Sequence, residues 1–326
     1  MTTYSKDFMI DPRRLRVLRE VSLRGTVTSA AHGLHLTPSA VSQQIAALSR
    51  ELGVPLLEKT GRGVRLTGQA QLILTHATVV QAQFERARAD LAAFADGRIG
   101  RVSVASFSSG ISGLIAPAIK HLRTTRPGIV VTAIEAEPPD VFTRLDRGEL
   151  DIVVAVDYRK SPPRNDPNYF RVELLADVLD VALPTTHRLA KRESIELAEL
   201  ASEVFVTASP GTSCSEVTLA TCAAAGFSPD VRHYSVDWRA IASLVAVEAG
   251  IALVPRLAAP LDGPGVVIRP LAGQRAARNI FAAVRGGAQD DPVLAATLEA
   301  LCDVAAAVSS SPAATNPAST APSMTA

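Results

Sequence analysis

Cysteine is scarce: Cys214, Cys222 and Cys302 are the only three among 326 residues. An odd number without metal-ligand spacing points to neither a disulfide framework nor a zinc site. No apolar run reaches the roughly 18–20 residues that a membrane span needs, so no membrane partner is expected. The opening MTTYSKDFMIDPRR lacks a continuous apolar segment. No signal peptide is therefore expected, and the cytoplasm is the expected compartment. Also missing are a glycine-rich nucleotide fingerprint, a metal cluster and a local Ser-His-Asp set. The sequence is thus not expected to be an enzyme, and it implies no metal or resident cofactor. What is present is 47% hydrophobic and 20% charged residues, fitting a soluble globular chain of about two to three folding units.

The net charge of +1 conceals an asymmetry. Residues 1–66 hold ten lysines and arginines against five acidic residues, a net of +5, leaving −4 for the rest. Such an N-terminal unit suits a polyanion. Asp11-Pro12 reads as a cap and first helical position, with Leu15, Leu18 and Val21 at helical spacing and Gly25 as the stop. A short second helix is expected at about 28–34, then a turn at His35-Leu36. Thr37 caps a third helix, with Pro38 in its first turn. On that helix Val41, Ile45, Leu48 and Leu52 form an apolar stripe, while Ser39, Ser42, Gln43, Ala46 and Arg50 lie off it.

Two short helices, a tight turn and a polar outer face make a helix-turn-helix. Small polar groups let such a helix enter a major groove, where serine and glutamine meet base edges. Helix-start amides at Thr28-Ser29 and Thr37 can meet phosphates. Next, Leu56-Leu57 and Val64–Leu66 predict a hairpin around residues 60–63, with Lys59, Arg62 and Arg65 placed for the DNA backbone or a narrow groove. A long helix follows from about Thr67 to Asp96. Its apolar residues Ile73, Ala77, Val80, Phe84, Ala87, Leu91 and Phe94 alternate in steps of four and three. That is a heptad seam, the pattern of a two-helix coil and of a dimer.

The run GTVTSAAHGLHLTPSAVSQQIAALSRELGVPLLEKTGRGVRLTGQA resembles the start of the LysR-type transcriptional regulators, without gaps over about residues 10–70. The resemblance implies a winged helix-turn-helix at 10–67 with its reading motif at 27–46, and a linker and dimerisation helix at 68–97. It further implies an effector domain at 98–308, whose second lobe lies at about 173–265. The departures from the family's usual residues at Pro38, Ser39 and Gln43 leave base preference open. The implied partners are double-stranded DNA carrying an interrupted palindrome, a small-molecule effector and a second copy of the chain. A tetramer and RNA polymerase are further implications.

Beyond Gly97 the β-branched runs RVSVASF, IVVTAIEAE and DIVVAVD alternate with helical stretches at about 111–124 and 139–147. Further strands alternate with helices near 215–225, 238–249 and 291–308, which predicts a mostly parallel sheet. The tail, 309–326, is low-complexity and expected to be disordered. By resemblance this half is a two-lobed α/β domain like the type II periplasmic binding proteins. Ligands of such sheets sit beyond strand C-termini. The candidate effector residues there are Ser106, Ser108 and Ser109 after one strand, and Thr207 and Ser209 after another, with Asp157 and Asp237 beside them. No arginine stands near the serine loop in the sequence, so the charge of the effector is open.

Three rival readings differ in what they need. A solute-binding protein would carry a secretion signal and no DNA reader. A non-specific DNA-binding protein would not distinguish cognate from random duplex. A redox-sensing regulator would use Cys214 and Cys222, but eight residues of helix separate them by about 12 Å of rise, so a disulfide requires unravelling.

Overall fold

The structure, a computed structural model, describes residues 10–60, 63–94, 99–137, 140–258, 261, 263–273 and 276–310. The chain divides into two units, one ending at Glu85 and the other beginning at Arg86. The predicted wing residue Arg62 and the segment 311–326, most of the predicted tail, lie outside the described residues. Ser309 and Ser310, also assigned to that tail, end the last helix.

The N-terminal unit follows its local signals. Helix α1 (Pro12–Arg24) starts where the Asp11 carboxylate accepts from Arg13 N at 2.9 Å. It stops at Gly25, whose φ of +73° is the left-handed cap that glycine takes without steric cost. Helix α2 (Val27–Gly33) begins one residue earlier than predicted, because Thr26 serves as its cap. Thr37 caps α3 (Pro38–Leu52), accepting from Ala40 N at 3.2 Å. Leu18, Val41, Ile45, Leu48 and Leu56 are buried together. Each buried side chain of this size stabilises by about 1.5–3 kcal/mol. Strands β1 (Leu57–Thr60) and β2 (Gly63–Leu66) pair antiparallel as the wing, with Glu58 opposite Arg65. Thr67 then donates to Pro55 O at 2.7 Å and accepts from Ala70 N at 3.1 Å. It thereby joins the wing to α4 (Gly68–Phe94), 27 residues and about 40 Å long.

The second unit begins with β3 (Gly100–Ser106) and a continuous helical run. That run comprises α5 (Ser108–Gly110), a π-helical turn (Ile111–Ile115) and α6 (Ala116–Thr125). It starts three residues before the predicted position. Next come β4 (Ile129–Glu135), α7 (Asp140–Asp146), β5 (Ile152–Val156) and the 16-residue β6 (Tyr169–Pro184). A 3₁₀ turn (Leu197–Leu200) precedes β7 (Val204–Thr207), α8 (Ser213–Ala224), β8 (Asp230–Tyr234), α9 (Trp238–Ala246) and β9 (Ala252–Pro255). The chain closes with β10 (Val266–Pro270), β11 (Ala277–Arg285) and α10 (Pro292–Ser310).

The sheet runs in the order β10-β6-β11-β5-β3-β4, with β9 also on β6. It is mixed, which corrects the mostly parallel expectation. β3 pairs parallel with β4 and β5, but β11 is antiparallel to both β5 and β6. Strand β6 pairs with β11 over residues 169–178 and then with β9 and β10 over 179–184. It therefore leaves one lobe for the other, and β11 returns. Neighbouring strands that leave and return must run in opposite directions.

Burial on both faces explains the unbroken apolar runs. In β5, Ile152, Val154 and Val156 face α6 and α10, while Val153 and Ala155 face α7. In the second lobe, Val181 and Leu183 of β6 face one cluster and Ala182 faces the other. Helix α10 corrects the expectation that no stretch is long and apolar enough to cross a membrane. Eighteen of its 19 residues average a hydropathy of 1.6. Here it is a core helix, with Leu294, Leu298 and Leu301 buried against the first lobe.

Candidate nucleic-acid interface and effector cleft

On α3, the stripe residues Val41, Ile45 and Leu48 are buried, and Thr37, Pro38, Ser39, Ser42, Gln43, Gln44 and Ala46 are exposed. The helix thus offers water a ridge of short polar groups with no bulky side chain before Arg50. The Ser39 hydroxyl lies 3.0 Å from that of Thr37, which holds it at the helix start. Thr28 and Ser29 are also exposed. The Ser29 amide is taken by Thr26 Oγ1 at 3.1 Å, so this helix start offers fewer open donors than the sequence suggested. On the wing, Arg65 pairs across the ladder with Glu58 at 2.8 Å and remains largely exposed. An exposed pair of this kind contributes at most about 1 kcal/mol, so a phosphate can displace it. Lys59 lies on β1, but its side chain is outside the described residues.

The predicted seam of α4 divides. Ile73 and Ala77 are partly buried against the chain's own N-terminal core. Ala87 is exposed, as are Val80, Phe84 and Leu91, the last two at 51% and 73%. The side chain of Phe94 is outside the described residues. The sequence reading did not single out Leu72 and Val79, which are also exposed on this helix.

In the second unit the serine loop acquires a partner that local reading could not supply. Arg278, at the start of β11, is 3% exposed. Its Nη2 donates to Ser109 Oγ at 2.7 Å, and its Nε donates to Asp177 Oδ2 at 2.9 Å. The guanidinium also lies 4.7 Å from the Phe107 ring centroid. Arg278 and Asp177 face each other on the β11–β6 ladder, one residue before β6 changes lobes. Asp177 Oδ1 accepts from Leu257 N at 3.1 Å. Burial raises the Asp177 carboxyl above its ordinary range, opposed by Arg278 and by the backbone donors.

Ser106 is fully buried at the end of β3, and its hydroxyl has no partner among the described residues. It lies against Gly110, where a Cβ would come within 2.2 Å of the hydroxyl oxygen. Ser108 is partly buried at the start of α5. Thr207, at the end of β7, is buried and likewise unpartnered.

The other predicted effector residues have local duties. Asp157 accepts from Arg171 at 2.7 Å and Arg164 at 3.4 Å. Ser209 is exposed and its carbonyl receives the Thr212 hydroxyl at 2.8 Å. Asp237 is exposed and caps α9, accepting from Arg239 N at 2.8 Å. Sequence reasoning missed Arg278, Asp177, Glu137 and Tyr158, which are remote in the chain from the serine loop. Glu137 follows β4, and burial raises its carboxyl while Arg278 opposes. Tyr158 follows β5, and burial together with Glu216 and Glu137 raises its hydroxyl.

Cys214 and Cys222 both lie on α8, near its first and last turns. Burial pushes each thiol up to about 11. A raised thiol is the opposite of the lowered, accessible one on which peroxide sensing depends. Both thiols are expected to react slowly with iodoacetamide in the native protein, and peroxide should leave DNA affinity unchanged. Labelling within minutes, lost in Cys214→Ser, would favour the redox reading.

Residues 12–71 match the bacterial regulatory helix-turn-helix protein, lysR family, and residues 95–306 match the LysR substrate binding domain. The transcriptional dual regulator GltC of Bacillus subtilis is 30% identical over 251 residues, covering 74% of this chain and 80% of that protein. The regulator MetR of Salmonella typhimurium is 28% identical over 302 residues, 90% of each chain. An OxyR variant of Corynebacterium glutamicum superposes with a TM-score of 0.59 at 19% identity, covering 93% of this chain and 95% of that one. CbnR complexed with its target DNA superposes with a TM-score of 0.56 at 23% identity, covering 90% and 99%.

Proposed function

Since the chain belongs to the LysR family of bacterial DNA-binding transcriptional regulators, with its helix-turn-helix and effector-binding domains, we propose that it reads an interrupted palindrome as a dimer. Ser39, Ser42 and Gln43 meet base edges, while Thr28, Thr37, Arg62 and Arg65 meet the backbone. Val80, Phe84, Ala87 and Leu91 form the seam between two copies. The cleft between the lobes holds a small effector; the second lobe, expected at about 173–265, is drawn at 179–276, since β6 changes partner at 179 and β11 returns at 277. Effector binding shifts only those states it distinguishes, here the closure of one lobe on the other. Dimers pair into tetramers, act in the cytoplasm and contact RNA polymerase from the bound promoter.

The observation that carries this reading is the face of α3, which is buried on one side and lined with short exposed polar groups on the other. The test is footprinting on the duplex upstream of the chain's own gene, with random duplex as competitor at fixed salt. Combining Ser42→Ala with Gln43→Ala should reduce the preference for the cognate duplex by about 10–100-fold, since a good base contact discriminates by about 1–3 kcal/mol. Affinity for random DNA should change little. Undiminished preference in the double variant would remove α3 from the reading role.

A further inference from the structure

We propose that the cleft takes an α-amino acid, its ammonium group on Glu137 and its carboxylate on the helix start at Ser108 and Ser109, beside Arg278. This rests on the reading of the cleft as the effector site and adds the chemical class of the effector.

Charge comes first. Arg278 is buried with Asp177, so its positive charge is already balanced. Glu137 is a second carboxylate in the field of the same guanidinium. Its Oε2 is enclosed and has no hydrogen-bond partner among the described residues. Nearby cations are committed elsewhere. Arg159 pairs with Glu216 at 3.0 Å, and Lys160 donates to Gly211 O at 3.0 Å. A buried carboxylate oxygen without a donor is costly, and a ligand bearing N–H⁺ groups satisfies it. A ligand that is only an anion would instead bring a third negative charge to a site holding one guanidinium.

The opposite need stands beside it. Helical structure is continuous from Ser108 to Thr125, and its N-cap residue, Phe107, supplies no side-chain cap. Among the described residues no acceptor meets the amides of Ser108 and Ser109. A second, independent group points to the same spot: the Ser106 hydroxyl, fully buried and unpartnered, lies against the first turn at Gly110. Two amides and a hydroxyl make a carboxylate cradle.

The two needs are close together. Ser106 and Glu135 are rung partners on β3 and β4, and Ala136 N donates to Ser106 O at 3.0 Å. Glu137 thus leaves one strand where Phe107 leaves its neighbour, and adjacent strands lie about 4.8 Å apart. That suits the separation of charges in an amino acid. The unpartnered hydroxyls of Tyr158 and Thr207 remain for the side chain or the second carboxylate oxygen.

The test uses the full chain, by calorimetry and thermal shift, with each of the twenty L-amino acids in turn. Each is run beside the 2-oxo acid and the primary amine that share its side chain. At least one amino acid is expected to bind, with its 2-oxo acid and its amine each roughly 10–100-fold weaker. Glu137→Gln should weaken the amino acid by a similar factor, and Glu137→Asp should recover part of it. A 2-oxo acid that binds as tightly as its amino acid, or no amino acid binding at millimolar concentration, overturns the proposal. The analogue comparison needs no variant, so a poorly folding Glu137→Gln does not blunt it. Footprinting of the same preparation separates the failures. Specific DNA binding with no amino-acid response sinks only the effector class, whereas loss of specific DNA binding sinks the regulator reading.

Discussion

Arg278→Met is expected to destabilise the effector domain by about 3–5 kcal/mol, because it leaves Asp177 buried without its charge partner. Asp177 has little access to water and keeps only backbone donors such as Leu257 N. Ser109 also loses its donor, and the loop that begins α5 loses its tie to β11. The measurement is urea unfolding of the full chain, following the transition of the effector domain. Combining Arg278→Met with Asp177→Asn should return much of the loss, since a pair removed together leaves no buried charge uncompensated. If the single variant lost less than about 1 kcal/mol, the pair would behave as a surface bridge, contrary to its burial.

Phe84→Glu is expected to separate the proposed dimer and, with it, to remove tight DNA binding. Phe84 is half exposed in the single chain, and Val80, Ala87 and Leu91 of the proposed seam are exposed as well. Burying one phenylalanine contributes about 2 kcal/mol, and a symmetric dimer contains two. The substitution also brings two carboxylates to a dry seam. The dimer dissociation constant should rise by at least about a thousandfold, as read by analytical ultracentrifugation across dilution. Binding to a two-half-site duplex should fall with it, because the second reader loses its effective concentration. A Phe84→Glu protein that remains dimeric at nanomolar concentration would place the dimer contact elsewhere. Phe84→Leu should keep the dimer, which separates loss of the seam from loss of the helix.

The sequence held most of the N-terminal unit in readable form. Asp11 with Pro12, Gly25, and Thr37 with Pro38 mark helix ends within one turn of where they act, so these caps and this stop were found at their residues. Thr26 rather than Thr28 caps α2, a choice between neighbouring threonines that local pattern does not resolve. The seam of α4 was visible as spacing, but its division into a buried start and an exposed continuation was not, since spacing does not say what covers a face. In the effector half the serines were legible as strand-end residues. Their ranking was not: Ser209 and Asp237 proved to be a turn and a cap, while Ser106 and Thr207 are buried with hydroxyls that meet no partner among the described residues.

The sequence by itself determined the elements whose signals span a few residues: the capped helices, the wing, the heptad steps and the apolar strands. Capping and periodicity act over one or two turns, and any window that contains them contains their cause. Only the tertiary structure decided that Arg278 reaches Ser109 across 169 positions, that β11 returns antiparallel beside β6, and that Glu137 comes within the field of Arg278. Such pairings depend on which strands become neighbours and in what register. Strand order and register are set by the closure of the whole sheet rather than by any short stretch of chain.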